Sequence, residues 1–151
     1  ASKIYNDDWM SDNGYLDSSF NVQISEVLQT IGKKSSVITV KNSASIGEAV
    51  DIMEKQGISQ LPVVNDNGEV VGLCSENNLV KPVMMGEFKR DDNISLAFTN
   101  KYRVVDRNEL LESVADALLK KEVALIMKDG KIDDIMTEID VLQYMSKQGS
   151  F

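Results

Sequence analysis

At 151 residues the chain has room for one ordinary domain or two very small ones, and its 42% hydrophobic and 26% charged content is that of a soluble globular protein. Sixteen Lys+Arg against 24 Asp+Glu give a net charge of −8, which argues against a nucleic-acid partner, since phosphate-backbone affinity rests on clustered basic residues. No run of eighteen apolar residues and no early apolar segment is present, so neither a membrane span nor a secretory signal is expected.

The first 21 residues are polar except for an aromatic cluster of Tyr5, Trp9, Met10, Tyr15, Leu16 and Phe20. This stretch reads either as a short amphipathic segment docking on another body or as a connector whose aromatics cover the rim of the next domain. Val22, Val27, Leu28 and Ile31 then predict a short helix that Gly32 ends. Val37-Ile-Thr-Val40 is β-rich. Ser45-Ile-Gly-Glu48 has capping-box spacing, and Ile46, Ala49, Val50 and Met53 share one helical face up to Gly57. Gln60 to Val64 predicts a strand, which Pro62 makes an edge or bulged one. Asn65-Asp-Asn-Gly68 is a hairpin signal suited to a type I′ turn. Val70 to Cys74 is the return strand, and Ser75-Glu-Asn-Asn78 opens another helix. Cys74, the sole cysteine, excludes an intrachain disulfide, favours a reducing, cytoplasmic compartment and reads as a buried structural thiol.

The order β-α-β-β-α then recurs. Tyr102 to Val105 is a strand, and Leu110, Leu111, Val114, Ala115 and Leu118 line a helix. Val123 to Met127 is a strand, Asp129-Gly130 a turn and Ile132 to Met136 the return. Thr137-Glu-Ile-Asp140 opens the last helix, which carries Val141, Leu142 and Met145. Ala49 to Met53 lies over Val114 to Leu118 at an offset of 65, whereas Gly68 and Gly130, Ser75 and Thr137, and Asn78 and Asp140 all match at 62. The second copy therefore lacks three residues around its turn. Two copies at this period predict an α/β (α+β) fold of two halves with pseudo-two-fold symmetry. The expected divisions are 1–30 connector and short helix, 31–81 first repeat, 82–101 inter-repeat connector and 102–148 second repeat. Ala1-Ser2 and Gly149-Ser150-Phe151 look like arbitrary ends, as in a piece of a longer protein.

The segments "GISQLPVVNDNGEVVGLCSENNL" and "DGKIDDIMTEIDVLQYM", each closing a strand with Ser/Thr-x-x-Asn/Asp before a helix, resemble a pair of CBS domains, the tandem ligand-sensing (Bateman) module. The resemblance covers about 120 of the 151 residues. "NDDWMSDNGYLD" ahead of the first copy, and "GISQLPVV" within it, are similar to the connector and first repeat of cystathionine β-synthase, whose usual pattern has Phe-Asp where this chain has Ile58-Ser59. This resemblance implies a regulatory piece of a pyridoxal-phosphate-dependent lyase of transsulfuration and cysteine biosynthesis. The cofactor belongs to an absent catalytic core, which is the expected partner. With no His and one thiol, the chain also lacks the usual general base and nucleophile. No catalytic residue, metal or cofactor is assigned to it.

The family pattern implies an S-adenosylmethionine (adenosyl) ligand in a cleft between the repeats, acting on activity and assembly. Thr137 and Asp140 would hold the ribose, with Val37, Ile58, Ser59, Gln60, Leu61, Ile135 and Ile139 around the base. Spacing alone favours reading Thr-x-x-Asp simply as a helix cap with an acid in the first turn. A mirror site would use Ser75, Asn78, Arg103, Val123, Ala124 and Leu125, and is expected to be weaker because Asn78 replaces the acid. Ser59 in place of Asp removes a carboxylate that could face a sulfonium, which puts S-adenosylmethionine itself in question. The alternatives are a ligand-free module that sets oligomer state and stability, and an adenine-nucleotide sensor of another enzyme. A homodimer is expected, with Met84, Met85, Phe88 and the last helix offering apolar surface.

Overall fold

The computed structural model of the protein describes residues 20–33, 36–149 and 151. Of the expected aromatic cluster, Tyr5, Trp9, Met10, Tyr15 and Leu16 lie outside those residues. The described residues form two compact units, one drawn from residues 20–33, 103–128, 133–149 and 151, the other from residues 36–102 and 129–132. Each is a three-stranded sheet with helices packed on it, the mixed α/β arrangement expected of each repeat.

The unit built on the first repeat runs β1 (Val40–Lys41), α2 (Ile46–Gln56), β2 (Gln60–Val64), β3 (Val70–Ser75) and α3 (Glu76–Met84), followed by a 3₁₀ turn at Ile94–Ala97; the helix preceding them, α1, is Ile24–Thr30. Ser45 starts α2 by accepting the Glu48 N–H at 3.1 Å, and Gly57, at φ +65°, ends it in the left-handed region that a side chain would resist. The sheet order is β1-β2-β3, with β1 parallel and β3 antiparallel to β2. Ile46, Ala49, Met53, Leu61, Val63, Cys74, Leu79 and Ile94 form its buried core.

Two expectations need correction here. Of the two alternatives for β2 the bulged one holds: it is the middle strand, not an edge, and its register against β3 shifts between Val63 and Val64. Of the β-rich run only Val40 pairs with it, opposite Val63, and Lys41 carries the pairing on to Val64. Continuing that register would set Thr39 against Pro62, which has no N–H to donate, so the parallel ladder stops there and Val37 stays outside it. The hairpin is also not type I′. Gly68 donates to the Asn65 carbonyl at 3.0 Å, Asn65 Oδ1 accepts from both Asn67 and Glu69, and only Gly68 has positive φ. The Asn65 side chain organises a five-residue loop around itself.

The second repeat supplies β4 (Tyr102–Asp106), a 3₁₀ turn at Leu111–Val114, α4 (Ala115–Leu119), β5 (Val123–Lys128), β6 (Lys131–Met136) and α5 (Glu138–Lys147), with sheet order β4-β5-β6. Its turn is the I′ type: Asp129 and Gly130 both have positive φ and alone separate β5 from β6. Two residues here against five in the first copy account for the three missing from the repeat. The helix expected from Leu110 is broken into a 3₁₀ turn and five α residues, and Leu110 is 39% exposed. Ser113 Oγ donates to the Leu110 carbonyl at 2.7 Å, the local bonding that competes with a regular helix.

The helix read as part of the connector, α1, belongs to this same unit. Ile24, Val27 and Leu28 are buried with Leu111, Val114, Leu118, Ile126, Met136 and Tyr144. Backbone bonds from Ile24 N–H to Glu109 O (2.9 Å) and from Leu111 N–H to Val22 O (2.7 Å) fix it there.

Candidate functional site

The start of α5 concentrates the polar chemistry of its unit. Thr137 is extended and half-buried at the end of β6, and Asp140, three residues on, is 6% exposed. Asp140 Oδ2 accepts the Thr137 N–H at 3.0 Å, the arrangement that spacing alone predicted for a helix cap. The same oxygen accepts from Lys33 Nζ at 2.9 Å. Lys33 follows Gly32, whose φ of +71° turns the chain out of α1, and its own N–H donates to the Leu28 carbonyl at 3.0 Å. The Lys33 ammonium also donates to the Ile135 carbonyl and lies 3.6 Å from Asp134 Oδ1.

Asp134 is buried. Its Oδ1 accepts the Ile135 N–H at 2.8 Å, while Oδ2 is buried with no hydrogen-bond donor. Burial pushes the Asp134 carboxyl above the usual aspartate range, against the opposing pull of the Ile135 N–H and the Lys33 charge. Lys33 and Asp134 were both missed from sequence. The signal was present at Asp134, which stands 62 residues after Gly72 and so takes a glycine position of the repeat inside an apolar strand. A carboxylate placed there calls for a counter-charge.

The other expected residues fall as follows. Ile135 is half-buried and Ile139 is 57% exposed, both beside the α5 start. In the first-repeat unit Val37, Ile58 and Gln60 are half-buried, Ser59 is exposed and Leu61 is fully buried. Gln60 Oε1 is buried with no donor. The Ser59 carbonyl accepts the Glu76 N–H at 3.0 Å, and Leu61 pairs with Cys74 in the sheet. Ser75 caps α3 by accepting the Asn78 N–H at 3.3 Å. Asn78 borders a cavity of about 570 Å³ with Val71, Phe98, Thr99, Asn100 and Tyr102. Arg103 is exposed, its guanidinium donating to the Ser113 carbonyl at 2.9 Å, and Val123, Ala124 and Leu125 are core residues.

Each unit also carries an apolar groove along the two helices of its repeat. One, of about 510 Å³, includes Val50, Met53, Leu79, Val80 and Val83, with Ile58 and Ser59 at its wall. The other, of about 240 Å³, includes Ala115, Leu118, Val141, Leu142 and Met145. These are the same positions of the repeat, at offsets of 65 and 62. Among the described residues, no group of three or more His, Cys, Asp or Glu could hold a metal ion, and no helix is long and apolar enough to cross a membrane.

Residues 24–84 match the family model of the CBS domain, and the fold is that of CBS-domain structures. A CBS-domain protein from Agrobacterium tumefaciens, ATU1752, superposes with a TM-score of 0.69 at 21% identity, covering 85% of this chain and 97% of that one. The CBS domain pair of protein MJ0100, crystallised with 5′-methylthioadenosine and S-adenosylmethionine, gives 0.68 at 21% identity over 84% and 98%. By sequence the chain is 26% identical over 161 aligned residues to cystathionine β-synthase of Dictyostelium discoideum, covering 97% of this chain and 32% of that protein. It is 23% identical to homoserine O-acetyltransferase of Methanohalobium evestigatum over 93% of this chain and 28% of that protein. The chain thus spans about a third of the length of the curated relatives it matches. CBS pairs are typically regulatory and non-catalytic.

Proposed function

We propose that this chain is the adenosyl-sensing module of a larger enzyme, a cystathionine β-synthase, in which it regulates the activity and assembly of a pyridoxal-phosphate core. The observation that carries the reading is Asp140, a buried carboxylate in the first turn of a ten-residue helix, beside Thr137, in the copy that keeps the acid. A carboxylate there is an acceptor for a ribose diol, and the helix N-terminus supplies positive potential. The adenosyl ligands of the MJ0100 pair and the cystathionine β-synthase relatives support the same class. Ser59 offers no carboxylate to a sulfonium, so 5′-methylthioadenosine should bind at least as well as S-adenosylmethionine. Binding shifts the enzyme only if the ligand has different affinity for two states of the module.

Titration calorimetry with S-adenosylmethionine, 5′-methylthioadenosine, AMP and ATP tests this. Asp140→Ala should weaken binding roughly 10- to 150-fold, the loss of a charge-assisted hydrogen bond of about 1.5–3 kcal/mol. Asn78→Ala should change it less than about threefold, as expected for a neutral amide outside the stronger site. Equal losses at both positions refute the assignment.

A second reading has its own observation. The two equivalent apolar grooves, with Met84 81% and Met85 66% exposed nearby in the chain, suit a module that sets oligomer state and stability without ligand. A wild type that binds none of the four compounds, yet sediments as a homodimer at tens of micromolar (an order-of-magnitude expectation for such faces), would favour it.

A further inference from the structure

We infer that Lys33 is a tethered ammonium that latches the Asp140 carboxylate shut, so that an adenosyl ligand must displace it to bind. The inference rests on the adenosyl reading of Asp140 and adds its regulation. A ribose diol needs acceptor positions on the carboxylate, and Asp140 Oδ2 already accepts two donors, the Thr137 N–H at 3.0 Å and Lys33 Nζ at 2.9 Å. With both present Oδ2 is occupied, so a diol that bonds to both carboxylate oxygens meets the ammonium at Oδ2.

The ammonium is held from three sides, by Asp140, by the Ile135 carbonyl and by Asp134 at 3.6 Å. Asp134 brings a second observation. Its side chain is 5% exposed and its Oδ2 has no donor, so an acceptor remains beside the ammonium when the Asp140 contact is released. The arrangement belongs to one copy only. The equivalent of Asp134 in the first repeat is Gly72, where a Cβ would stand 2.7 Å from the Phe98 ring, leaving no space for a carboxylate.

Lys33 also sits just past α1, on the turn at Gly32. Occupancy at Asp140 is thereby coupled to the turn that ends α1 through one side chain whose contacts differ between the free and bound states.

The test compares wild type, Lys33→Met and Lys33→Arg by titration with 5′-methylthioadenosine, a probe with no charge at sulfur, alongside a melting curve for each. Met keeps the apolar stem and removes the ammonium, while Arg keeps the charge. The Lys33 side chain is 30% exposed, so the gain is modest: Lys33→Met should bind about 5- to 30-fold more tightly, and Lys33→Arg within about threefold of wild type. In wild type, acetylation of Lys33, followed by mass spectrometry, should speed up when the probe saturates the protein. Binding by Lys33→Met alone would support both the latch and the adenosyl reading. Equal affinity in wild type and a folded Lys33→Met, or weaker binding in the variant, overturns the latch and leaves the adenosyl reading standing. No binding by any variant overturns both.

Discussion

Replacing Gly72 with alanine tests the packing of the first-repeat sheet directly. Gly72 is buried in β3, opposite Val63, and a Cβ added there would meet Phe98 Cδ2 and Cγ at 2.7 Å and Cδ1 at 3.0 Å. Carbon atoms prefer about 3.5–4.0 Å, so the overlap is close to 1 Å on three ring atoms at once. The ring must swing or the strand must shift, and overpacking of this kind costs about 1–3 kcal/mol. For a chain of this length, each kcal/mol moves the melting temperature by roughly 2–4 °C, so Gly72→Ala should melt about 3–10 °C below wild type. The partner is decided by a double-mutant cycle with Phe98→Ala, read by thermal and urea melts. Removing the ring relieves the clash, so the combined loss should fall short of the sum of the two single losses by about 1–2 kcal/mol. Strict additivity, or a Gly72→Ala protein that melts within a degree of wild type, would refute the argument.

Burial raises the Asp134 carboxyl, so the folded protein keeps that proton to higher pH than the unfolded chain does. The associated stability is complete below the ordinary aspartate range, about 3.9, and is lost as pH rises through the raised value. Asp134→Asn lacks this loss, so its melting temperature relative to wild type should climb between pH 4 and pH 7; a constant difference across that range would contradict the assignment. Cys74 is fully buried with its thiol pushed up to about 11, so native alkylation at pH 8 should run about 100-fold or more slower than in urea. Ile126→Ala, in the core of the α1-containing unit, should cost about 2–5 kcal/mol in denaturant titration.

Where local chemistry decides the structure, the sequence reads through to it. Ser45 with Glu48, Gly57, Asn65 with Gly68, and Asp129-Gly130 are each resolved within a few residues, and the elements they bound lie where periodicity places them. The repeat, visible as offsets of 62 and 65, carries over to the two sheets and the two grooves. What was misread depends on partners distant in sequence. Val37 to Thr39 has strand composition, but the pairing stops where Thr39 would meet Pro62, and Leu110 has the spacing of a buried residue but sits before a turn that Ser113 tightens. The capping geometry of Thr137 and Asp140 was legible; the ammonium on Asp140 was not. Lys33 lies in a polar stretch without periodicity, and nothing local links it to residues more than a hundred positions later.

The placement of α1 sets an order for folding. Its apolar face is completed by residues from Val105 onward, its backbone is bonded to Arg107 and Glu109, and Val22 just before it is bonded to Leu111. During synthesis α1 leaves the ribosome before any of these, with the whole first repeat still to follow. The segment from residue 36 to 102 contains the sheet, both helices and the buried core of its unit, which lacks only residues 129–132, so that core can form well before the chain ends. The α1-containing unit cannot, because its contacts span most of the chain and their loop-closure entropy is met only at the end. Until then Ile24, Val27 and Leu28 are unburied apolar side chains on a seven-residue helix too short to persist alone. This interval is the one in which a chain stalled or cut before residue 105 would aggregate or be recognised by chaperones.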